Sequence, residues 1–184
     1  MSRRRLVAAL LCLLITGALF WSLRRVLVYA IDQFLQGEPA LISPIQTPDG
    51  VLRVRTDRNG KGYFGANRDG GRKHKGVDLL SAVGDPVFAA KSGRVIFAGW
   101  QKGYGGVVKV AHPNQTVSVY AHLSRLFVNQ GEWVSQSTQI GRVGKSGNSS
   151  PAGTLPHLHF ELRQNGVVID PSKALRVSKL SISL

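Results

Sequence analysis

The sequence predicts an all-β domain preceded by one N-terminal helix that crosses a membrane. Two observations predict the β domain: apolar and polar residues alternate in short segments, and glycine-rich turns separate these segments. A long apolar run near the N-terminus predicts the helix. The segments expected to form strands are Val51 to Arg55, Pro86 to Ala90, Arg94 to Ala98, Val107 to Ala111 and Thr116 to His122.

The N-terminal segment, residues 1–25, has the pattern of a membrane anchor or an export signal. Three arginines precede an uncharged stretch from Leu6 to Leu23, and two more arginines follow it. The length of this stretch is close to the minimum that a helix needs to span a bilayer, which is about 17 residues. Thr16-Gly17-Ala18 would suit signal cleavage, but the apolar run continues through Trp21, which favours an uncleaved anchor.

A connector is expected at residues 26–50. Val26 to Leu35 is apolar enough to continue the helix, and Gly37-Glu38-Pro39 should end it. Pro44 and Pro48-Asp49-Gly50 then indicate turns. The β domain is assigned to residues 51–172, and a C-terminal tail to residues 173–184.

An internal repeat supports the β architecture. Gly84-Asp85-Pro86-Val87, followed by Gly93-Arg94-Val95, is matched by Gly131-Glu132-Trp133-Val134, followed by Gly141-Arg142-Val143. A repeat of this kind indicates two related β half-motifs that pack against each other.

Two distant segments supply the residues of a metal site. His74 and Asp78 stand in His-Lys-Gly-Val-Asp, and His157 and His159 stand in His-Leu-His. Residues two apart on a strand point the same way, about 7 Å apart, so the last two histidines should line one cleft. The only cysteine, Cys12, lies in the N-terminal run, so a closed cysteine-rich zinc site cannot form. Imidazole and carboxylate ligands instead suit a catalytic site with an open position.

The residues around these histidines predict which side chains face the core. Leu158, Phe160 and Leu162 alternate with His157, His159 and Glu161, which indicates an apolar core face and a polar face. His122 is a further candidate acid or base, expected to share a face with Tyr120 and Ser118 while Val117, Val119 and Ala121 turn inward. His112-Pro113-Asn114 is assigned to a turn without a catalytic role.

The chain resembles the lysostaphin-type zinc metallopeptidases, which cut peptide bonds in bacterial peptidoglycan. The resemblance covers about Ser43 to Pro171 and rests on several motifs in the same order. These motifs are Phe64-Gly65, Gly71-Arg72-Lys73-His74-Lys75-Gly76-Val77-Asp78-Leu79, Gly84-Asp85-Pro86-Val87, Gly103-Tyr104-Gly105, Val119-Tyr120-Ala121-His122-Leu123, and Pro156-His157-Leu158-His159-Phe160-Glu161-Leu162.

The resemblance implies a hybrid-motif fold of two antiparallel sheets and one zinc ion (Zn2+) per chain. It implies that His74, Asp78 and His159 are the zinc ligands and that His122 and His157 are the catalytic histidines. It further implies hydrolysis of peptide crosslinks, with peptidoglycan peptide stems as substrate and cell-wall machinery as partner. The domain would then lie in the cell envelope outside the cytoplasm, on a single-pass inner-membrane anchor, or be secreted if the signal is cleaved.

The residues leave several alternatives open. The chain could bind peptidoglycan and activate another wall hydrolase, as relatives that have lost the site residues do. The two-fold motif also resembles biotinyl and lipoyl carriers and phosphocarrier domains, although none of these requires a His-x-x-x-Asp pair. The sequence distinguishes neither a D-amino-acid crosslink from a glycine bridge nor which catalytic histidine is the base.

The formal net charge of +14 does not predict a nucleic-acid-binding protein. Five arginines flank the apolar run, and the other basic residues are scattered, which is typical of a solvated surface. Such charge can also attract the protein to an anionic wall or membrane surface. Gly144-Lys145-Ser146 lacks the leading glycine of a P-loop, because Gln139 takes that position, so nucleotide binding is not expected.

Overall fold

The computed structural model describes residues 3–36, 38, 41–113, 115–175 and 179–182. One helix, Arg3–Gln36, precedes a domain made mainly of strands, which confirms the all-β class predicted for that domain. Short 3-10 helices cover Asp69–Gly71, Gly147–Ser149 and Pro171–Lys173. The strands are β1 (Val51–Val54), β2 (Thr56–Asp57), β3 (Gly60–Lys61), β4 (Val77–Leu80), β5 (Pro86–Phe88), β6 (Gly93–Gln101), β7 (Gly105–Ala111), β8 (Thr116–Leu126), β9 (Trp133–Val134), β10 (Gln139–Val143), β11 (His157–Gln164), β12 (Val167–Ile169) and β13 (Lys179–Ile182).

The chain divides into two compact units, residues 1–38 and 39–184. The helix ends at Gln36, immediately before the predicted stop at Gly37-Glu38-Pro39. Among the described residues, no helix combines the length and apolarity of a membrane span, so the predicted spanning helix is not found.

The second unit extends beyond the predicted β domain at both ends. Leu41 and Ile45, in the predicted connector, are buried in its hydrophobic core. Strand β13, in the predicted tail, pairs in parallel with β1. The connector residues and β13 join this unit through contacts with residues distant in the sequence, and the local sequence pattern does not reveal such contacts.

Eleven of the described strands form one continuous hydrogen-bonded network, in which β13, β1, β4, β11, β8, β7, β6 and β9 follow one another. Strands β5, β10 and β12 attach beside this path, and β2 with β3 forms a separate hairpin. The prediction of two sheets therefore needs correction. The network is continuous because β8 pairs with β7 and β11 along most of its length and with β10 at its end.

The two copies of the internal repeat pair with each other. Strand β5 of the first copy pairs with β10 of the second, and Pro86 lies opposite Arg142. Strand β6 of the first copy pairs with β9 of the second, and Gly93 lies opposite Val134. This crosswise pairing confirms that the half-motifs pack together.

Strand β11 separates the main core from the face that carries the site. Leu158, Phe160 and Leu162 are buried in the main core, as their alternation predicted. Phe160 packs on Tyr120 of β8, with ring centroids 5.3 Å apart. The alternate residues of β11 therefore point to the opposite face.

The two faces of β8 point in directions opposite to those predicted. Ser118 and Tyr120 are fully buried on the core side, while Val119 and Ala121 belong to a small apolar cluster on the opposite face. The Tyr120 hydroxyl can enter the core because it accepts a hydrogen bond from the backbone N–H of Ala90 and bonds to the Ser118 hydroxyl. Both faces of β8 are covered, so its apolar residues do not identify the main core.

Candidate metal centre

Three of the predicted residues direct their ligand atoms to one point. His74 Nε2 lies 3.0 Å from His159 Nδ1 and 3.1 Å from Asp78 Oδ1, and the last two atoms are 2.8 Å apart. All three residues are buried. Tetrahedral zinc with bonds of about 2.0–2.1 Å separates its ligand atoms by about 3.3 Å, so a small outward shift accommodates the ion. Two imidazoles and one carboxylate are a catalytic zinc donor set.

Strand register and one glycine bring the two segments together. Asp78 in β4 lies directly opposite His159 in β11. His74 reaches the same point from the turn before β4. Between them, Gly76 passes so close to β11 that a Cβ would overlap the backbone of Phe160. The close approach therefore requires glycine at this position.

Hydrogen bonds fix the orientation of both candidate histidine ligands. His74 Nδ1 lies 2.9 Å from the carbonyl oxygen of Tyr63, so an N–H there donates and Nε2 faces the candidate metal position. His159 Nε2 lies 3.2 Å from Glu161 Oε1, which leaves Nδ1 directed at the candidate site. Carbonyl and carboxylate partners of this kind hold metal-binding imidazoles in one tautomer.

Glu161 is itself held by two neighbours. The Tyr104 hydroxyl donates to Oε1 at 2.6 Å, and the Arg163 guanidinium donates to Oε2 at 2.7 and 3.1 Å. Burial raises the pKa of Glu161, but the hydrogen bonds from His159, Tyr104 and Arg163 outweigh it and lower the pKa to about 2. Glu161 therefore stays ionised beside His159.

Two arginines hold the other oxygen of Asp78. Arg55 Nη2 donates to Oδ2 at 3.0 Å, and Arg68 Nη2 donates at 3.3 Å. Burial opposes ionisation of Asp78, but hydrogen bonds to His159 and His74 lower its pKa well below the ordinary value. The arginines thus fix the carboxylate so that Oδ1 faces the candidate metal position.

His122 and His157 lie beside this centre. The ring centroids of His122 and His157 are 5.1 Å apart, and those of His122 and His159 are 5.6 Å apart. His122 has a φ of 64°, so its ring leaves the Tyr120 side of β8 and turns towards His159. Histidine adopts this left-handed conformation more readily than most side chains, at a strain of about 1–3 kcal/mol. The predicted common face of His122 and Tyr120 is therefore wrong.

Both flanking histidines present an unprotonated Nε2. His122 Nδ1 donates to the Ser146 carbonyl oxygen at 2.9 Å, and His157 Nδ1 donates to the Leu155 carbonyl oxygen at 2.7 Å. Burial lowers the pKa of both, and the nearby His159 and His157 contribute for His122, whose pKa falls to about 3. Both rings are therefore neutral near pH 7.

His159 has the opposite electrostatic environment. Burial disfavours its charge, but hydrogen bonds to Asp78 and Glu161 outweigh burial and raise its pKa to about 9. A metal at this position therefore has to displace a proton from His159.

Sequence patterns missed the residues that support the candidate ligands. Arg55, Arg68 and Arg163 carry no local signal, because charged residues are usually solvated. The polar position of Glu161 two residues after His159 was the one usable hint. His112, by contrast, bonds to the Ser92 carbonyl oxygen and the Ser118 hydroxyl, as expected for a structural residue.

Comparison with known protein families gives a match over the region that contains these residues. The profile of peptidase family M23 matches residues 72–171, which contain all five candidate site residues. The chain belongs to peptidase family M23. This membership confirms the lysostaphin-type resemblance and favours it over the carrier and phosphocarrier alternatives.

Three similar proteins illustrate the range of the family. The DD-carboxypeptidase/endopeptidase Mpg of Neisseria meningitidis is 40% identical over 111 residues, which are 60% of this chain and 25% of Mpg. The murein hydrolase activator NlpD of Escherichia coli is 32% identical over 130 residues, which are 70% of this chain and 32% of NlpD. The catalytic domain of lysostaphin, an antimicrobial peptidase from Staphylococcus simulans, has a TM-score of 0.53 and 31% identity, covering 64% of this chain and 90% of that domain.

The matched region spans between 25% and 40% of the length of the curated relatives. Both a peptidase and an activator are among them. Family membership therefore gives the domain type, and the residues of the site carry the argument about activity.

Proposed function

We propose that this protein is a zinc-dependent endopeptidase that hydrolyses peptide crosslinks of bacterial peptidoglycan. The observation that carries the proposal is the convergence of His74, Asp78 and His159, with His122 and His157 beside them. A zinc ion bound there supplies a Lewis acid that polarises the substrate carbonyl and lowers the pKa of water from 15.7 to about 7.

The protein's own residues would manage protons and position the substrate. His122 and His157 are neutral and present Nε2 to the candidate centre, so either ring can accept a proton from the attacking water. The protonated ring can then donate to the leaving amine. Glu161 and the arginines on Asp78 would keep the ligand atoms in place while the substrate changes shape.

A second candidate function is the activation of a separate wall hydrolase. The similarity to NlpD, named a murein hydrolase activator, supports it. The presence of all five site residues and the firm support of their side chains favour catalysis instead. A purely activating domain would not require a charged Glu161 behind His159 or a left-handed His122.

We also propose a place in the cell envelope. Peptidoglycan peptide stems as substrate require this location, and the similarity to lipoproteins of the NlpD type is consistent with it. The arginine-flanked apolar run supports export by an uncleaved inner-membrane anchor or by a cleaved signal. N-terminal sequencing of protein recovered from membrane and soluble fractions distinguishes the two.

Hydrolysis of defined crosslinked muropeptides tests the proposed activity. The purified full chain should cleave a peptide crosslink in the presence of zinc, and excess chelator should abolish cleavage until zinc is restored. Mass spectrometry of the products identifies the bond. Intact muropeptides together with stimulation of an added amidase would instead establish the activator.

A further inference from the structure

The β2–β3 hairpin contacts the segment that leads into β11. Arg58 Nη2 donates a hydrogen bond of 2.9 Å to the Ala152 carbonyl oxygen. Asn59 Nδ2 donates to the same oxygen at 3.1 Å and to Thr154 Oγ1 at 2.8 Å. Gly153 leaves the space that the Arg58 guanidinium occupies, because a Cβ there would overlap it. The hairpin therefore fixes a loop that is distant from it in the sequence.

Asp57 is the buried acceptor of this contact. Its Oδ2 accepts a hydrogen bond of 2.9 Å from the Leu155 N–H, and its Oδ1 accepts from Arg55 Nη1 at 2.6 Å and from the Asn59 N–H at 2.8 Å. The side chains of Arg55 and Asp57 are only 5% and 7% exposed. Burial raises the pKa of Asp57, but the hydrogen bonds from Arg55 and Leu155 outweigh it and lower the pKa below its ordinary value. Asp57 is therefore an ionised carboxylate with both oxygens bound.

Leu155 links Asp57 to His157. The N–H of Leu155 is held by Asp57, and its carbonyl oxygen accepts a hydrogen bond of 2.7 Å from His157 Nδ1. Pro156 follows Leu155 in the sequence. The proline ring fixes its own φ, and a residue before proline is restricted to extended conformations. Little backbone freedom therefore remains between the amide that Asp57 holds and the ring of His157.

The other partner of Asp57 reaches the candidate metal centre. Arg55 donates to Asp57 through Nη1 and to Asp78 Oδ2 through Nη2, the latter at 3.0 Å. The second oxygen of Asp78, Oδ1, lies 3.8 Å from His157 Nε2. The contacts thus form a closed ring of Asp78, Arg55, Asp57, Leu155 and His157. A shift of Asp57 would therefore change the position of His157 relative to Asp78.

We propose that Asp57 is a positioning residue, which holds His157 beside the candidate metal centre through the backbone of Leu155. The inference rests on the proposed peptidase function, in which His157 Nε2 exchanges a proton, and it names the group that fixes this ring. Asp57 is not one of the candidate metal ligands. It acts through the hydrogen bond that keeps the Leu155 carbonyl oxygen in place for His157 Nδ1.

Asp57→Asn leaves one oxygen where the wild-type side chain has two. The Arg55 guanidinium and the Asn59 N–H converge on one oxygen of Asp57, and the guanidinium makes the stronger, charge-assisted bond. The oxygen of the variant amide should therefore face Arg55, so its NH2 group faces the Leu155 N–H and that hydrogen bond is lost. A misplacement of about 1 Å at a reacting group can lower the rate about a hundredfold.

Two measurements on the zinc-free full chain test this role without relying on hydrolysis. Amide hydrogen exchange reports the protection of the Leu155 N–H. Proton–nitrogen correlation spectra of the imidazoles report which ring nitrogen of His157 carries the proton, and His157→Ala identifies the signal.

Asp49→Asn is the matched control. Asp49 also accepts the N–H of the residue two positions on and pairs with an arginine, Arg53, but both side chains are nearly half exposed. Hydrolysis of crosslinked muropeptides at saturating zinc then gives kcat and KM separately for each protein.

Wild type and Asp49→Asn should protect the Leu155 N–H and carry the His157 proton on Nδ1. Folded Asp57→Asn should exchange Leu155 faster and show a mixture of His157 tautomers, with kcat about 10- to 100-fold lower and KM little changed.

An unprotected Leu155 N–H in wild type overturns the inference, and this result needs no variant, so it holds even where Asp57→Asn is unstable. Hydrolysis by wild type with an unchanged His157 tautomer or an unchanged kcat in folded Asp57→Asn also overturns it and leaves the proposed peptidase standing. The expected changes at Leu155 and His157, without hydrolysis by wild type in zinc, support the positioning by Asp57 and refute the peptidase.

Discussion

Glu161→Gln tests how the protein holds its candidate metal ligands. The carboxylate of Glu161 faces His159 Nε2 at 3.2 Å and is bound by Tyr104 and Arg163. The substitution keeps the size of the side chain but removes the negative charge that orients the imidazole. Loss of such a supporting group weakens metal binding about 10- to 100-fold, which corresponds to about 1.4–2.7 kcal/mol.

Competition with a fluorescent zinc chelator measures this change directly. Glu132→Gln is the matched control, because Glu132 is exposed and its side chain bonds to Asn129. Circular dichroism of the zinc-free proteins reports whether each variant is folded. A folded Glu161→Gln protein with the zinc affinity of wild type would refute the positioning role.

Three further predictions concern protons, packing and the buried network. Because the pKa of zinc-free His159 is about 9, zinc binding near pH 7.5 should release about one proton, and the affinity for zinc should increase as the pH rises towards 9. Calorimetry in buffers of different ionisation enthalpy measures the number of protons released. Zinc binding without proton release would contradict the raised pKa. Gly76→Ala should lower the free energy of unfolding, measured in urea titrations, by about 1–3 kcal/mol, because the alanine Cβ would overlap the backbone of Phe160. Unchanged stability would disprove the close approach of Gly76 to β11. Tyr120→Phe should lower the free energy of unfolding by about 1–3 kcal/mol, because the Ala90 N–H loses its buried acceptor. An unchanged free energy of unfolding would show that this hydrogen bond contributes little to stability.

The sequence predicted the parts of the site that follow from local periodicity. Alternation along β11 placed His157 and His159 on one face and Phe160 in the core, and the structure agrees. The internal repeat predicted two half-motifs that pack together, and the structure shows this packing as the pairing of β5 with β10 and of β6 with β9. These features depend on the two-residue period of a strand or on direct similarity between segments.

The features that were missed depend on long-range geometry. Alternation fails at His122 because one residue with φ of 64° turns its side chain to the other face of β8. Arg55 lies beside Asp78 only because β1 and β4 pair, and Ile45 belongs to a core built from strands that are distant in the sequence. A single sequence shows neither a backbone reversal inside a strand nor the partner of a buried charge.

The zinc content of two alanine variants tests the central claim most directly. His159→Ala removes a candidate ligand and should lose both zinc and hydrolysis, whereas His157→Ala leaves the ligand set intact and should retain zinc but lose hydrolysis. Elemental analysis after dialysis, together with chelator competition, gives the metal content and affinity of each folded variant. Equally tight zinc binding in both would contradict the assignment of His74, Asp78 and His159 as the metal ligands.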